Sequence, residues 1–326
     1  MATPGMVTVE TGARLHFGFG NLALANARLS GGVGVALAEP RISLTVDPAE
    51  GIVCDDPAVE PFVRDAVDLL GVEGARVTVA ERFPRHVGFG SGTQLALAAL
   101  VGVARAHDRQ VDPRERAPEL GRGGRSGVGV AAFEGGGFVV DGGHPTERFT
   151  ADPPAAGSWT VPRPIARHDL PDDWRFVLVT PEGAGKSGTP EERSMRAVVE
   201  RADPGIADEI AALLTRRLLP AVAGADLETF GAAVARLGRL NGAWYADEQG
   251  GVYRPPAGEL VDRLGDCPAV TGAGQSSWGP TVYGVTRAAD LDAATEAARA
   301  ALDGIGREGT VRAAEPRATG ARLRGE

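Results

Sequence analysis

The segment Pro84-Arg85-His86-Val87-Gly88-Phe89-Gly90-Ser91-Gly92-Thr93-Gln94, followed at once by Leu95-Ala96-Leu97-Ala98-Ala99-Leu100, constrains this chain more than any other. Glycines alternate at 88, 90 and 92, hydroxyls join them, and a series of strong helix formers begins. Glycine lets backbone come close to a ligand and adopt conformations closed to other residues. The helix behind the loop offers unbonded N–H groups and the positive end of its dipole. A phosphate or pyrophosphate is the natural guest of that arrangement. The glycine spacing is wrong for a dinucleotide fingerprint, and no βαβ unit surrounds it. Arg85 and His86 stand just upstream, placed to add charge or move a proton.

Other features narrow the class. At 326 residues the chain is one large domain or two ordinary ones. With 43% hydrophobic and 24% charged residues it has the material for a full core. A net charge of −9 leaves no basic field for nucleic acid, and no basic run suits an anionic membrane. An anionic small molecule must therefore be held by a local site. Cys54 and Cys267 lack metal-ligand spacing and read as reduced thiols. No signal peptide and no long apolar span are visible, so a cytoplasmic location is expected.

Along the chain, residues 6–11, 33–38, 42–46 and 75–80 read as strands, with Pro40 splitting the second and third. Residues 61–70 carry a helical pattern, and the helix after the glycine loop runs to about 107. A second glycine-rich loop at 121–129 leads into an expected hairpin, 130–133 and 137–141, around Glu134-Gly135-Gly136. The Pro- and Ala-rich stretch 150–172 is the expected domain joint. A strand at 174–180 precedes helices at about 190–202, 205–222, 226–246 and 256–265. Then come a strand at 269–271, a loop at 272–279, a strand at 280–285, a helix at 291–302 and a strand at 309–314. The last dozen residues read as frayed. This irregular mixture predicts an α+β protein, not a doubly wound sheet.

Together these pieces resemble the GHMP kinase superfamily. The resemblance rests on the segment Ala13-Arg14-Leu15-His16-Phe17-Gly18, on the loop 84–93, and on Thr271-Gly272-Ala273-Gly274 near the end. Within that superfamily the chain resembles the β-ribofuranosylaminobenzene 5′-phosphate synthase family. Gly-Ser-Gly-Thr-Gln stands at 90–94 where kinases have Gly-Ser-Ser-Ala-Ala, and the segments 121–129 and 133–143 extend the likeness. The resemblance implies a two-domain fold, an N-terminal ribosomal protein S5-like domain over 1–155 and a C-terminal ferredoxin-like domain with extra helices over 156–326. It implies a decarboxylating phosphoribosyltransferase that joins phosphoribosyl pyrophosphate to 4-hydroxybenzoate or 4-aminobenzoate. The products would be a ribofuranosyl-arene 5′-phosphate, CO2 and pyrophosphate, an early step towards methanopterin-type carriers. Mg²⁺ and a homodimer are implied as well.

Carried onto this sequence, His86, Arg125, Arg14 and His16 are the catalytic candidates. Gly88, Gly90, Ser91, Gly92, Thr93, Gln94, Arg122, Ser126, Gly272, Ala273 and Gly274 are the phosphate- and substrate-binding candidates. Gly92 occupies the place of the kinases' magnesium-binding Ser, leaving Thr93 as the metal candidate. Gly129 occupies the place of their catalytic Asp. The cradle persists while the base for a substrate hydroxyl is gone. That suits a reaction in which pyrophosphate leaves and is stabilised as it departs. Planar arginine forks suit the 5′-phosphate and the benzoate carboxylate. Two competing readings are an ATP-dependent small-molecule kinase, with Asp141 recruited as base, and a non-catalytic metabolite-binding protein.

Several residues have plainer readings. His107 reads as a helix cap and His144 as structural. Asp141 and Glu134 either meet substrate or metal, or simply finish the hairpin. Gly183-Ala184-Gly185-Lys186-Ser187 resembles a P-loop, but Thr180 stands where its first glycine belongs. Lys186, the only lysine, is placed to meet a phosphate from a loop.

Overall fold

The computed structural model describes residues 5–150, 152, 154–183 and 189–325, with backbone alone for 189–192. Lys186 and the core of the P-loop-like segment lie outside the described residues. The first half contains β1 (Val7–Asn21), β2 (Arg28–Pro48), β3 (Gly51–Cys54), α1 (Glu60–Leu70), β4 (Gly74–Glu81), α2 (Ser91–Ala106), α3 (Pro113–Arg116), α4 (Val128–Gly135), β5 (Phe138–Asp141) and β6 (His144–Pro145). The second contains β7 (Pro164–His168), β8 (Trp174–Pro181), α5 (Thr189–Arg201), α6 (Pro204–Leu213), α7 (Leu219–Ala223), α8 (Leu227–Gln249), α9 (Ala257–Gly265), β9 (Gly272–Gln275), β10 (Val282–Arg287), α10 (Leu291–Gly304), β11 (Gly309–Ala314) and β12 (Arg322–Gly325). No helix among the described residues is long and apolar enough to cross a membrane.

The strands form two sheets. The first runs β12-β1-β2-β4-β3, with β5 and β6 on β2 and β7 on β5. The second runs β11-β8-β10-β9. The mixture is α+β, as the irregular pattern predicts. Strands from either side of residue 156 share the first sheet, because β7 pairs with β5 and β12 pairs with β1.

Helix α2 is apolar on nearly every side because it is covered on nearly every side. It packs on β1, β2 and α1, and Gly102 lets it sit directly on Val46 and Val9. The second sheet follows the period-2 rule. Trp174, Phe176 and Leu178 of β8 enter the main core, whereas Val177 and Val179 face α9 and α10. Tyr283 and Val285 join the first group, and Val282 joins the second.

Three local expectations are corrected. The hairpin expected around residues 134–136 is instead helix α4 running into β5. Its short apolar run has helical burial, with Val128, Val130, Ala131, Ala132 and Phe133 inside. Gly136 and Gly137, at φ +64° and +77°, then turn the chain into the strand. The strand expected at 269–271 lies three residues later, so the glycines at 272–274 are strand β9 and not a loop. The chain end is not frayed, since β12 adds antiparallel to β1 from Val7↔Gly325 to Glu10↔Arg322.

Candidate active site

Strand β1 carries the first site residues, and two irregularities in its pairing aim them. The register with β2 shifts between Gly12 and Arg14, and again between His16 and Gly18. Ala13, Leu15 and Phe17 enter the core, so Arg14 and His16 point the other way. Simple alternation would then bury Phe19 with the core group. The extra residue at the second shift reverses the alternation and brings Phe19 to the face of His16, with ring centroids 4.8 Å apart. Asn241 of α8 fixes this turn. Its Oδ1 accepts from the Phe19 N–H at 2.7 Å, and its Nδ2 donates to the Phe19 carbonyl at 3.1 Å.

The glycine loop is tied to β1 and to the segment after β9. The Arg14 N–H donates to the Phe89 carbonyl at 3.0 Å, and Arg14 Nη1 donates to the Gly88 carbonyl at 2.6 Å. Ser276 Oγ donates to that same carbonyl at 2.8 Å and accepts from the His16 N–H at 3.1 Å. Gly88 and Gly90 have φ of +103° and +76°, the left-handed region that favours glycine. Gly90 sits at the N-cap of α2 with no side-chain cap. A Cβ on Gly90 would lie 3.0 Å from Arg14 Cγ, and one on Gly92 would lie 3.1 Å from Arg122 Nη1. The two guanidinium groups therefore lie over the start of α2, where backbone N–H groups and the helix dipole add positive potential.

These residues border a cleft of about 630 Å³, within the usual range for a small-molecule site. Arg14, Arg122, Arg125, Arg148 and Arg196 line it, and among the described residues no Asp or Glu does. A chain of net charge −9 has thus concentrated positive charge in one place. Burial and the nearby Arg85 pull the Arg122 guanidinium below its ordinary pKa. His16 is buried at 5% exposure, its Nε2 lacks a hydrogen-bond partner, and it also lines a smaller cavity of about 50 Å³ behind the cleft. Burial first, then the charges of Arg14 and Arg125, lower its pKa to about 3. His16 is neutral at physiological pH.

Of the expected site residues, Arg14, His16, Thr93, Arg122, Arg125 and Ser126 meet in the cleft wall. Ser126 also donates to Asp141 Oδ2 at 3.0 Å. Gly88, Gly90, Ser91 and Gly92 do not line the cleft; Gly90 and Gly92 lie against Arg14 and Arg122, which do, and Ser91 is buried. Thr93 packs on Gly129, where a Cβ would meet its Cγ2 at 3.3 Å. Gln94, also expected at the ligand, does not line this cleft. It is fully buried, accepts from Thr11 Oγ1 at 2.7 Å and donates to the Gly129 carbonyl at 2.8 Å. His86 is exposed on the loop and does not line the cleft. Its backbone has a φ of +63°.

Gly272, Ala273 and Gly274 are buried in β9 and also lie away from the cleft. A Cβ at 272 would meet the Gly231 carbonyl at 1.9 Å, and one at 274 the Tyr283 hydroxyl at 2.5 Å. Gly272 and Gly274 let α8 and Tyr283 pack closely on this strand. Ser277 and Trp278, just beyond, are the residues of this segment that reach the cleft. Glu134 pairs with Arg114 Nε at 2.9 Å on another face. Asp141 is buried and accepts from Ser126 Oγ and from the backbone N–H groups of Gly32, Gly127 and Gly143. Burial raises its pKa against those hydrogen bonds, and its oxygens are committed to holding the 126–128 turn. It does not replace the missing kinase base. His107 caps α2 as expected, its Nε2 2.8 Å from the Gly74 carbonyl.

Sequence reasoning missed Phe19, Arg148, Phe149, Trp159, Met195, Arg196, Val199, Ser277 and Trp278 as cleft residues. The fit of a resident Mg²⁺ is poor. Among the described residues there is no cluster of three or more His, Cys, Asp or Glu. Thr93 would have to act without a carboxylate beside it, whereas magnesium sites are built on one or two carboxylates.

Residues 58–137 match the GHMP kinases N terminal domain. The Streptococcus pneumoniae phosphomevalonate kinase superposes with a TM-score of 0.68 at 11% identity, covering 99% of this chain and 100% of that one. That likeness establishes the fold. A β-ribofuranosylphenol 5′-phosphate synthase from Archaeoglobus fulgidus is 36% identical over 294 residues, 86% of this chain and 88% of that protein. One from Methanothermobacter thermautotrophicus is 33% identical over 296 residues, 85% of this chain and 88% of its own length. With the GHMP kinase fold, and with 36% and 33% identity to these two proteins over most of its length, this chain belongs to the β-ribofuranosylphenol 5′-phosphate synthase family.

Proposed function

We propose that this protein joins phosphoribosyl pyrophosphate to 4-hydroxybenzoate, giving β-ribofuranosylphenol 5′-phosphate, CO2 and pyrophosphate. The observation that carries the reading is the cleft lined by five arginines and no described carboxylate, with Gly129 where a kinase would hold its base. The relatives' names specify a phenol product, which favours the hydroxy over the amino acceptor.

The chemistry balances without a base. The bond from ribose C1 to the pyrophosphate oxygen breaks, and its electron pair leaves with pyrophosphate. Arg14, Arg122 and the N-terminus of α2 stabilise that charge as it develops. The ring carbon bearing the carboxylate bonds to C1, and the para hydroxyl supports the resulting cationic ring. The carbon–carboxylate bond then breaks, its electrons restore aromaticity, and CO2 departs. No proton need be abstracted from a nucleophile, so the absence of a kinase base costs nothing. His16, neutral and buried, offers Nε2 to a polar group of the substrate without adding charge. Mg²⁺ belongs to this reading as the counter-ion of the donor's pyrophosphate. The reading also includes a cytoplasmic homodimer.

The test is a paired release assay with purified protein, phosphoribosyl pyrophosphate, Mg²⁺ and carboxyl-labelled 4-hydroxybenzoate, run beside 4-aminobenzoate and an ATP control. Equimolar pyrophosphate and labelled CO2, faster with the hydroxy acid, is the expected result. Neither product, with ATP consumed, would favour the kinase reading.

A further inference from the structure

Apart from the two arginines over the glycine loop, a second pair faces the same cleft. Arg148 lies over the Trp159 ring at 5.0 Å, and Arg196 over the Phe149 ring at 4.6 Å. Arg196 Nη2 donates to the Thr150 carbonyl. Arg148 Nη1 donates to the Gly124 carbonyl at 3.1 Å and to His144 Nδ1 at 2.6 Å. A guanidinium has no lone pair to offer, so His144 Nδ1 is the acceptor. The ring proton is then on Nε2, which donates to the Gly123 carbonyl at 3.1 Å. His144 is buried, and burial with the Arg148 charge lowers its pKa to about 4, in keeping with a neutral ring. Arg148 Nε is buried and has no partner. Aromatic platforms and a fixed acceptor hold these two forks in place, and preorganised forks suit a dianion.

We propose that Arg148 and Arg196 form a second anion subsite for a phosphate monoester, the 5′-phosphate of the ribosyl donor, and that His144 positions Arg148 within it. This rests on the reading that the donor is phosphoribosyl pyrophosphate. That donor has two anionic ends, and apart from Arg125 the arginines of the cleft form two pairs resting on different elements. The pair at the start of α2 suits the leaving group, because the positive end of the helix dipole adds there to the two guanidinium charges. The remaining pair faces a choice between the 5′-phosphate and the benzoate carboxylate. The carboxylate loses its charge as CO2 forms, so a tight fork on it would stabilise the ground state over the transition state. The 5′-phosphate keeps its charge throughout the reaction and is the better occupant.

Two one-ended probes separate the subsites: ribose 5-phosphate and inorganic pyrophosphate, each titrated calorimetrically into wild type and variants. Arg148→Gln should weaken ribose 5-phosphate about tenfold or more while leaving pyrophosphate within about twofold. Arg122→Gln should do the reverse. His144→Phe should weaken ribose 5-phosphate, whereas His144→Asn, whose amide oxygen can take the place of Nδ1, should restore most of the affinity. Arg196→Gln gives an independent reading should Arg148→Gln fail to fold. The subsite is refuted if Arg148→Gln and Arg196→Gln leave ribose 5-phosphate unchanged, or weaken only 4-hydroxybenzoate. The positioning role is refuted if Phe and Asn at 144 behave alike. If wild type binds neither probe, the donor reading itself fails and takes the subsite with it.

Discussion

Replacing Gly90 by alanine tests whether the glycine loop works through Arg14. Gly90 has φ +76° and ψ +22° at the N-cap of α2. An L-residue in this region costs about 1–2 kcal/mol, a stability loss of a few degrees in Tm for a chain of this size. The functional effect should be larger. The new Cβ would stand 3.0 Å from Arg14 Cγ and Nε and 3.1 Å from Cζ. The Arg14 side chain must give by a few tenths of an ångström, which strains its 2.6 Å bond to the Gly88 carbonyl and shifts the guanidinium in the cleft. A charge-assisted contact to the donor is worth about 1.5–3 kcal/mol, so KM for phosphoribosyl pyrophosphate should rise about 10- to 100-fold. Continuous detection of released pyrophosphate gives KM and kcat for Gly90→Ala, Arg14→Ala and the double variant. The double should bind donor no worse than Arg14→Ala, since both changes act on one side chain. Independent, additive losses would show that Gly90 does not act through Arg14, as would a wild-type KM in a folded Gly90→Ala.

Three further outcomes follow from the same structure. Gln94→Leu should cost about 2–4 kcal/mol by urea unfolding, because it leaves the Thr11 hydroxyl and the Gly129 carbonyl unsatisfied; a raised KM with unchanged stability would return Gln94 to the ligand. Gly274→Ala, with its Cβ 2.5 Å from the Tyr283 hydroxyl, should lose about 1–3 kcal/mol of stability and leave the KM of the folded enzyme alone. The pKa of His16 is about 3 in the folded protein against an ordinary 6.5, so the unfolded chain binds the extra proton between those values. Its stabilising contribution is present above pH 6.5 and is lost as pH falls towards 3. At pH 5 the loss relative to pH 8 is roughly 2 kcal/mol, and the gap between wild type and His16→Phe should narrow by that amount. A gap that does not change with pH would contradict a buried neutral His16.

The loop at 84–94 and helix α2 were legible because the alternating glycines and the helix formers behind them carry local meanings that agree. The sequence also marked Arg14, Arg122 and Arg125. It did not show how β1 aims Arg14, His16 and Phe19. That depends on two register shifts against β2, and pairing is not written in one strand's alternation. The apolar run of α4 was too short for periodicity to separate helix from strand. Gly272 and Gly274 read as loop glycines in the sequence, yet Gly231 presses on the first and Tyr283 on the second. Arg148, Trp159 and Arg196 come from separated segments with no motif between them, and only the tertiary fold makes them neighbours in one cleft.

Decarboxylating ribosyl transfer is decided by the mass and connectivity of the product formed from phosphoribosyl pyrophosphate and ring-labelled 4-hydroxybenzoate. The expected product is a ribosyl phosphate joined by a carbon–carbon bond to the ring carbon that carried the carboxylate, with the carboxylate gone. A product that keeps the carboxylate, bonded through oxygen to ribose or to phosphate, would contradict that reaction.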